Sequence, residues 1–197
     1  MNLIDIRRNL AYRITDPVVR ILSKIGITPN ALTFINLALN IVAAYVIATG
    51  HFLLGGVLVL VAGLFDLLDG ALARFTKQTT RFGAILDSVA DRISEAAILC
   101  GLLIWYIPQE EASLEIVLIF VVLIGSFLVS YIRARAEGLG LQCQVGLFTR
   151  AERVIVLAIG LLINQIFIAL CVLVVFVFIT VVQRLVYLWK QGNIKGD

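Results

Sequence analysis

Four aspartates lie inside two of the most hydrophobic stretches of this 197-residue chain. Asp66 and Asp69 are three positions apart in the first stretch. Asp87 and Asp91 are four positions apart in the second, so in helices each pair shares one face. An acidic residue at the centre of a membrane helix costs about 2.5–3.5 kcal/mol. These aspartates therefore need a partner that offsets their charge.

Divalent cations are the partner that the residue types favour. Ligation by carboxylate oxygens alone suits Mg²⁺, Mn²⁺ or Ca²⁺ and not zinc. Four carboxylates are enough for two ions, and a pair of ions stabilises the attacking and leaving oxygens of a displacement at phosphorus. The alternative is a polar network that only holds helices together. Such a network needs neither four carboxylates nor two carboxylate pairs at the same depth in the membrane.

Long apolar runs predict the elements that position these residues. The chain is 61% hydrophobic and 15% charged, and its mean hydropathy is +1.03. Because membrane-spanning segments must satisfy their own backbone hydrogen bonds, the sequence predicts an all-α integral membrane protein. The six predicted transmembrane spans are residues 31–49, 53–74, 83–106, 114–133, 151–165 and 166–189.

The segment before the first span alternates basic and apolar residues. Residues 1–28 therefore predict an amphipathic helix on the membrane surface, from which the chain turns inward at Pro29. Without long linkers or repeats, residues 1–197 are expected to form a single domain, with the six-helix bundle over residues 29–190.

The distribution of Lys and Arg predicts the orientation. Basic residues precede span one, join spans two and three, border the connection between spans four and five, and follow span six. The positive-inside rule then places both termini and the aspartates on the cytoplasmic side of the cell membrane. Asp66 and Asp91 both lie roughly 12–15 Å from the cytoplasmic ends of their helices, so the two pairs are expected to converge.

Other function classes receive less support from the sequence. Three cysteines without paired spacing indicate neither a disulfide framework nor a thiolate metal site, and no feature indicates nucleic-acid binding. A cation channel or transporter is the alternative of another class, since intramembrane carboxylates mark ion pathways. Here, however, the carboxylates cluster at one depth, and the outer halves of the spans are nearly uncharged.

The aspartate region resembles the signature of the CDP-alcohol phosphatidyltransferases. The matching positions are Asp66-x-x-Asp69-Gly70-x-x-Ala73-Arg74, then eight residues, then Gly83-x-x-x-Asp87-x-x-x-Asp91. The six-span architecture with an amphipathic N-terminal helix is also that of the family. The resemblance implies that an alcohol attacks the lipid-side phosphorus of a CDP-linked lipid, such as CDP-diacylglycerol, with release of CMP. It also suggests a homodimer.

The resemblance further implies roles for individual residues. Asp66, Asp69 and Asp87 would bind one Mg²⁺, and Asp66, Asp87 and Asp91 a second, with Mn²⁺ as the alternative ion. Asp91 would also be the catalytic base that accepts the proton of the incoming hydroxyl. The residues implied to contact the CDP-lipid are Pro29, Asn30, Ala31, Leu32, Thr33, Gly70, Ala73, Arg74, Thr80 and Gly83.

Four arginines at the cytoplasmic ends of spans four and five are candidates for binding the phosphate of the acceptor. Arg150 and Arg153 share a helical face, whereas Arg133 and Arg135, two positions apart, diverge. Guanidinium groups bind phosphate bidentately, although the positive-inside bias alone also places arginines here.

The surrounding stretches, residues 130–142 and 146–156, resemble the phosphatidylinositol-phosphate synthases of this family and their archaeal relatives. That resemblance implies inositol 1-phosphate as the acceptor. The chain departs from some bacterial members at Arg133, where lysine is frequent, and at Ala151, where proline is. A phosphatidylglycerophosphate synthase that uses glycerol 3-phosphate is the alternative.

Two polar features of the spans have more than one interpretation. Thr33, Asn36 and Asn40 form a stripe along span one, where the asparagines are expected to hydrogen-bond between helices and Thr33 to face the nucleotide. Glu95 extends the Asp87–Asp91 stripe by one turn, and either lines the site or pairs with Arg92.

Overall fold

A computed structural model describes residues 17–194, and every regular element in this range is a helix. Residues 1–16, which hold most of the predicted surface helix, and residues 195–197 lie outside the described range. The helices are α1 (17–25), α2 (Pro29–Ala48), α3 (Phe52–Phe75), α4 (Arg81–Tyr106), α5 (Ser113–Gly138), α6 (Arg150–Leu162) and α7 (Ile166–Ile194). The prediction of an all-α fold is confirmed.

Threonines precede three of the helices that carry predicted site residues, α2, α4 and α6. The hydroxyl of Thr28 accepts a hydrogen bond from the N–H of Ala31 at the start of α2, and that of Thr80 accepts one from the N–H of Gly83 at the start of α4. At α6, Thr149 and Glu152 form a capping box. Because capping satisfies backbone donors that have no partner within the helix, these threonines set the register of the residues that follow.

The bundle is centred on α2, which packs along both α3 and α4. Further contacts join α3 to α6, α5 to α7 and α6 to α7. Residues such as Ile47, Leu102 and Leu161 fill the core. Where α2 and α4 cross, Gly101 lies against the backbone carbonyl of Ala44, with no space for a side chain. The α2–α4 pair therefore meets backbone to backbone at this crossing.

Four helices, α2, α3, α5 and α7, are long and apolar enough to cross a membrane. Their outer faces carry exposed aromatic side chains such as Tyr45 and Trp189, in keeping with a lipid-facing surface. The structure therefore supports a helical membrane protein with four such candidate spans.

The other two predicted spans do not meet that measure, for different reasons. α4 contains Asp87, Asp91 and further charged residues, which lower its hydropathy. α6 has 13 residues, about 20 Å of helix against a hydrocarbon core of about 30 Å. The predicted fifth span, 151–165, thus ends early, and Asn164 separates α6 from α7 with a positive φ of 55°.

Candidate active site

Three of the four aspartates converge between α3 and α4. One carboxylate oxygen from each of Asp66, Asp69 and Asp87 lies within 4.8 Å of the other two. Asp69 is buried, and the other two are partly buried. The spacing of three positions in α3 brings Asp66 and Asp69 to the same face, and the packing of both helices on α2 turns that face toward α4.

The three carboxylates fit a hard divalent cation. They supply oxygen ligands only, which Mg²⁺ and Mn²⁺ prefer, and they approach closely enough for one ion to contact all three. Without a cation, three anionic groups this close together would repel one another. These residues would hold the ion that the sequence predicted at this position.

Asp91 lies one turn further along α4 and reaches the same centre through Arg150. The Nη1 of Arg150 is 2.7 Å from Oδ1 of Asp66 and 2.7 Å from Oδ1 of Asp91. A single guanidinium nitrogen therefore joins the aspartate of α3 to the deeper aspartate of α4. On its other oxygen, Asp91 lies 3.5 Å from Nη1 of Arg92.

A cavity of about 160 Å³ opens beside Asp69 and Asp87, and we call it the loop cavity because the α3–α4 loop closes one side. Residues from the start of α2, the end of α3 and the start of α4 complete its wall. It is lined by Pro29, Asn30, Thr33, Asp69, Gly70, Ala73, Arg74, Gln78, Thr79, Thr80, Gly83, Ala84 and Asp87.

Most of the residues predicted to contact the nucleotide line this cavity, and two do not. Ala31 lies outside the lining, and Leu32 is fully buried, packed in a small core cluster with Val19 and Leu72. Gln78 and Thr79 also line the cavity, although neither was predicted to contact the nucleotide. The sequence marks these two residues only weakly as site residues, because both lie in a loop between two helices, where polar residues are common.

The two glycines of the signature lie in crowded positions along this cavity. A Cβ on Gly70 would come 3.3 Å from Nη1 of Arg74, so the guanidinium group folds back over the helix. A Cβ on Gly83 would lie 3.0 Å from Oγ1 of Thr80 and 3.3 Å from Oδ1 of Asn30. Glycine at both positions lets these polar side chains approach the helix surface closely.

A second, larger cavity of about 1020 Å³ lies between α4, α5 and the start of α6, and we call it the arginine cavity. Asp87 and Asp91 form its edge nearest the aspartate cluster. Its arginines are Arg92, Arg133, Arg150, Arg153 and Arg184. Three of the four arginines predicted to bind the acceptor phosphate are therefore together, whereas Arg135 is exposed and lies outside the lining.

Arg184 is a cavity residue that the sequence analysis did not propose. It lies in α7, where its Nε donates to the carbonyl of Val145 at 3.0 Å and its Nη1 donates to the carbonyl of Val129. The available signal was an arginine within a largely apolar helix, since buried ionisable residues in membrane segments are usually functional.

Glu95 pairs with Arg153 and not with Arg92. Two nitrogens of the guanidinium group contact its two carboxylate oxygens at 2.6 and 2.8 Å, and both side chains are buried. Arg92 instead donates to the backbone carbonyl of Ser88 at 2.7 Å. The predicted pairing with Arg92 is therefore wrong, whereas Glu95 does line a cavity beside the aspartates, together with Asp66 and Arg150.

A third cavity, of about 220 Å³, extends from the aspartates between α3 and α6. Asp66 and Arg150 lie in its wall, and aliphatic side chains such as Leu64 and Ile155 form much of the remainder. The aspartate cluster thus borders a polar loop cavity, a basic cavity and an apolar cavity.

Comparison with known families explains this arrangement. The model of the CDP-alcohol phosphatidyltransferase family matches residues 26–187. The chain belongs to this family. It is therefore an enzyme of phospholipid synthesis, and the alternative of a cation channel or transporter is excluded.

Relatives of this phosphatidyltransferase include bacterial and archaeal enzymes. It is 36% identical over 186 residues to the phosphatidylinositol phosphate synthase of Mycobacteroides abscessus, covering 90% of this chain and 84% of the relative. It is also 36% identical over 176 residues to the archaetidylinositol phosphate synthase of Pyrococcus horikoshii, covering 87% of this chain and 90% of the relative.

Solved structures of a relative have the same fold. The phosphatidylinositol phosphate synthase of Mycobacterium tuberculosis with CDP-DAG bound superposes with a TM-score of 0.82 at 36% identity, covering 90% of this chain and 94% of that one. The same protein in complex with manganese and citrate also gives a TM-score of 0.82, at 35% identity and with 89% and 88% of the two chains covered.

Proposed function

We propose that this CDP-alcohol phosphatidyltransferase transfers the phosphatidyl group of CDP-diacylglycerol to inositol 1-phosphate and releases CMP. The observation that carries the proposal is the position of the aspartate cluster between two cavities. Asp69 and Asp87 border the loop cavity, and Asp87 and Asp91 border the arginine cavity. Two substrates held in these cavities would meet at the aspartates.

The loop cavity would take the cytidine end of the CDP-lipid. Its wall contains Asn30, Arg74, Gln78 and Thr80, whose polar side chains suit a nucleotide and its phosphates. The apolar cavity between α3 and α6 leads away from Asp66 and would accept the lipid end. The lipid-side phosphorus would then lie at the carboxylate cluster.

The arginine cavity would bind the phosphate of the acceptor. Arg133, Arg150, Arg153 and Arg184 give it a concentration of positive charge that free inositol or serine would not require. The relatives named phosphatidylinositol phosphate synthase and archaetidylinositol phosphate synthase support inositol 1-phosphate as the acceptor over glycerol 3-phosphate, which the same cavity would also fit.

In the proposed reaction, the acceptor hydroxyl loses its proton to Asp91 as its oxygen bonds to the lipid-side phosphorus. The bond from that phosphorus to the bridging oxygen breaks, and CMP leaves with this oxygen. Two Mg²⁺ or Mn²⁺ ions, when bound to Asp66, Asp69, Asp87 and Asp91, supply positive charge that stabilises the phosphoryl oxygens. Asp91 suits the role of base because it lies at the edge of the arginine cavity, where the acceptor would enter.

The proposed setting is the cytoplasmic membrane. α2 to α7 would cross the membrane as six spans in a single domain, with the surface helix of residues 1–28 and both termini on the cytoplasmic side. The grouping of arginines at one end of α5 and α6 supports this orientation. A homodimer is proposed from the family resemblance.

Release of CMP by the purified protein in detergent tests the function. CDP-diacylglycerol and Mg²⁺ are supplied with inositol 1-phosphate, inositol, glycerol 3-phosphate or serine in separate reactions. Turnover with inositol 1-phosphate alone is the expected result. Turnover only with glycerol 3-phosphate would retain the aspartate chemistry and reject the proposed acceptor, and turnover only with an unphosphorylated alcohol would reject the role of the arginines.

A further inference from the structure

The polar stripe along α2 points toward the aspartates of α3. Thr33, Asn36 and Asn40 are 4%, 2% and 4% exposed, so none of them is solvated at the protein surface. The hydroxyl of Thr33 donates to Oδ2 of Asp69 at 3.0 Å. The Nδ2 of Asn36 donates to Oδ1 of Asp66 at 3.1 Å. Each aspartate of the α3 pair therefore has its own donor from α2.

Asn40 sets the orientation of the Asn36 amide. Its Nδ2 lies 2.9 Å from both the backbone oxygen and the side-chain Oδ1 of Asn36, and it donates to both. The oxygen of the Asn36 amide is thereby engaged by Asn40, which leaves its NH₂ group to face Asp66. A carboxylate accepts hydrogen bonds and does not donate them, so the same orientation follows from the chemistry of both neighbours.

These contacts restrict how the carboxylates rotate. Asn36 and Arg150 both contact Oδ1 of Asp66, so the lone pairs of Oδ2 remain available to a cation. If the amide were absent, the Asp66 carboxylate would be free to turn toward Arg150 alone. Residues that hydrogen-bond to metal ligands commonly set ligand orientation in this way.

We propose that Asn36 and Asn40, together with Thr33, are positioning residues that preorganise the α3 aspartates for the divalent cation; this rests on the metal-binding role proposed above. The spacing of the asparagines along α2 predicted hydrogen bonds between helices. The bond of Asn36 does cross from α2 to α3, whereas Asn40 bonds to Asn36 within α2 and not to another helix. The two bonds that reach α3, from Thr33 and Asn36, end on candidate metal ligands, so they have a consequence for metal affinity as well as for packing.

The test measures Mn²⁺ binding to the full-length protein in detergent by electron paramagnetic resonance of free Mn²⁺. Asn36→Leu, similar in size, is expected to weaken binding about 10- to 100-fold, the usual effect of removing a partner of a metal ligand. Asn40→Leu is the matched variant one turn away, with similar burial, and is expected to give a smaller loss. Thermal unfolding in EDTA separates a loss of fold from a loss of affinity.

Thr33 provides an independent test, because its substitution by valine removes the hydroxyl with almost no change in side-chain shape. Thr33→Val removes the hydroxyl that reaches Asp69 and is expected to weaken Mn²⁺ binding, whereas Thr33→Ser retains the hydroxyl and is expected to restore it. In turnover assays, the Mn²⁺ concentration for half-maximal activity should rise in Asn36→Leu, while kcat at saturating Mn²⁺ changes much less.

The outcomes separate this proposal from the proposed function. If the wild-type protein binds no Mn²⁺, the metal site and the positioning role fail together. If the wild-type protein binds Mn²⁺ and Asn36→Leu and Thr33→Val bind it equally well, only the positioning role is overturned. In that case the stripe would serve helix packing alone. If Asn36→Leu fails to fold, the Thr33→Val and Thr33→Ser pair decides the question.

Discussion

Arg153 and Glu95 form a bidentate ion pair in the interior of the bundle, with N–O distances of 2.6 and 2.8 Å. The pair joins the first turn of α6 to the middle of α4, 58 residues away in sequence. Glu95 follows Asp91 by one helical turn, so the same face of α4 carries the proposed base and the residue that orients Arg153 of the arginine cavity.

Removing the charge of Glu95 should therefore be costly. Glu95→Gln leaves the Arg153 charge buried without compensation, and loss of one partner of a buried pair typically costs about 3–5 kcal/mol of unfolding free energy. The control is Glu137→Gln, since Glu137 pairs with Arg133 at 2.8 Å but both side chains are more than half exposed. An exposed pair contributes about 0.2–1 kcal/mol. Titration with SDS measures both changes, and equal effects would contradict the interpretation.

The arginine cavity predicts opposite results for two neighbouring arginines of α5. Arg133 lines the cavity and Arg135 does not. Arg133→Gln should raise the KM for inositol 1-phosphate about 10-fold or more, as expected from losing a hydrogen bond to a charged group, with a small change in the KM for CDP-diacylglycerol. Arg135→Gln, with the same charge change, should leave both constants near the wild-type values. A larger effect at Arg135 would place the acceptor elsewhere.

Substitution of Asp91 should mainly lower turnover, whereas substitution of Asp69 should mainly weaken metal binding. Asp91 lies outside the three-carboxylate cluster, so Asp91→Asn should retain Mn²⁺ at Asp66, Asp69 and Asp87. Its turnover should fall about 10²–10⁴-fold through loss of the base, and further if a second ion is also lost. Asp69→Asn should weaken Mn²⁺ binding itself. Paramagnetic resonance and CMP release, measured on the same samples, check both variants. Normal turnover by Asp91→Asn would reject its role.

The crossing of α2 and α4 makes Gly101 sensitive to substitution. A methyl group there meets the backbone carbonyl of Ala44, and overpacking typically costs about 1–3 kcal/mol. Gly63 in α3 is the matched control, because a Cβ at that position meets no atom within 4 Å. Gly63→Ala should be neutral or stabilising by up to about 1 kcal/mol, the usual gain for alanine over glycine in a helix. Thermal unfolding in detergent compares the two variants.

The aspartate cluster was largely predictable from the sequence. Spacings of three and four positions place two carboxylates on one face of a helix, whatever that helix packs against. Asp66 and Asp87 also lie on consecutive helices joined by a short connection. Their similar depth in the membrane could therefore be predicted from their distances to the ends of these helices. The starts of α2 and α4 likewise depend on neighbouring residues in the sequence, since Thr28 and Thr80 cap the turns that immediately follow them.

The membrane spans were predicted less well than the aspartate cluster, because the composition of one helix and the length of another differ from those of a typical span. The sequence predicted six equivalent spans, whereas α4 is too charged and α6 too short to meet the same measure of a membrane-crossing helix. The charges of α4 include Asp87 and Asp91, which belong to the proposed site. Local hydropathy is therefore a weak guide in a helix that carries site residues.

Only the tertiary structure decided the partners of the remaining polar residues. The sequence placed Thr33 and Asn36 on one stripe but did not show that each donates to a different aspartate of α3. Arg150 reaches Asp66 across 84 residues, and Arg184 enters the arginine cavity from α7. Periodicity determines which residues share a helical face, but the rotation of that face toward a neighbour depends on the packing of the whole bundle. The sequence by itself thus determined the carboxylate chemistry, and the packing decided which residues orient it.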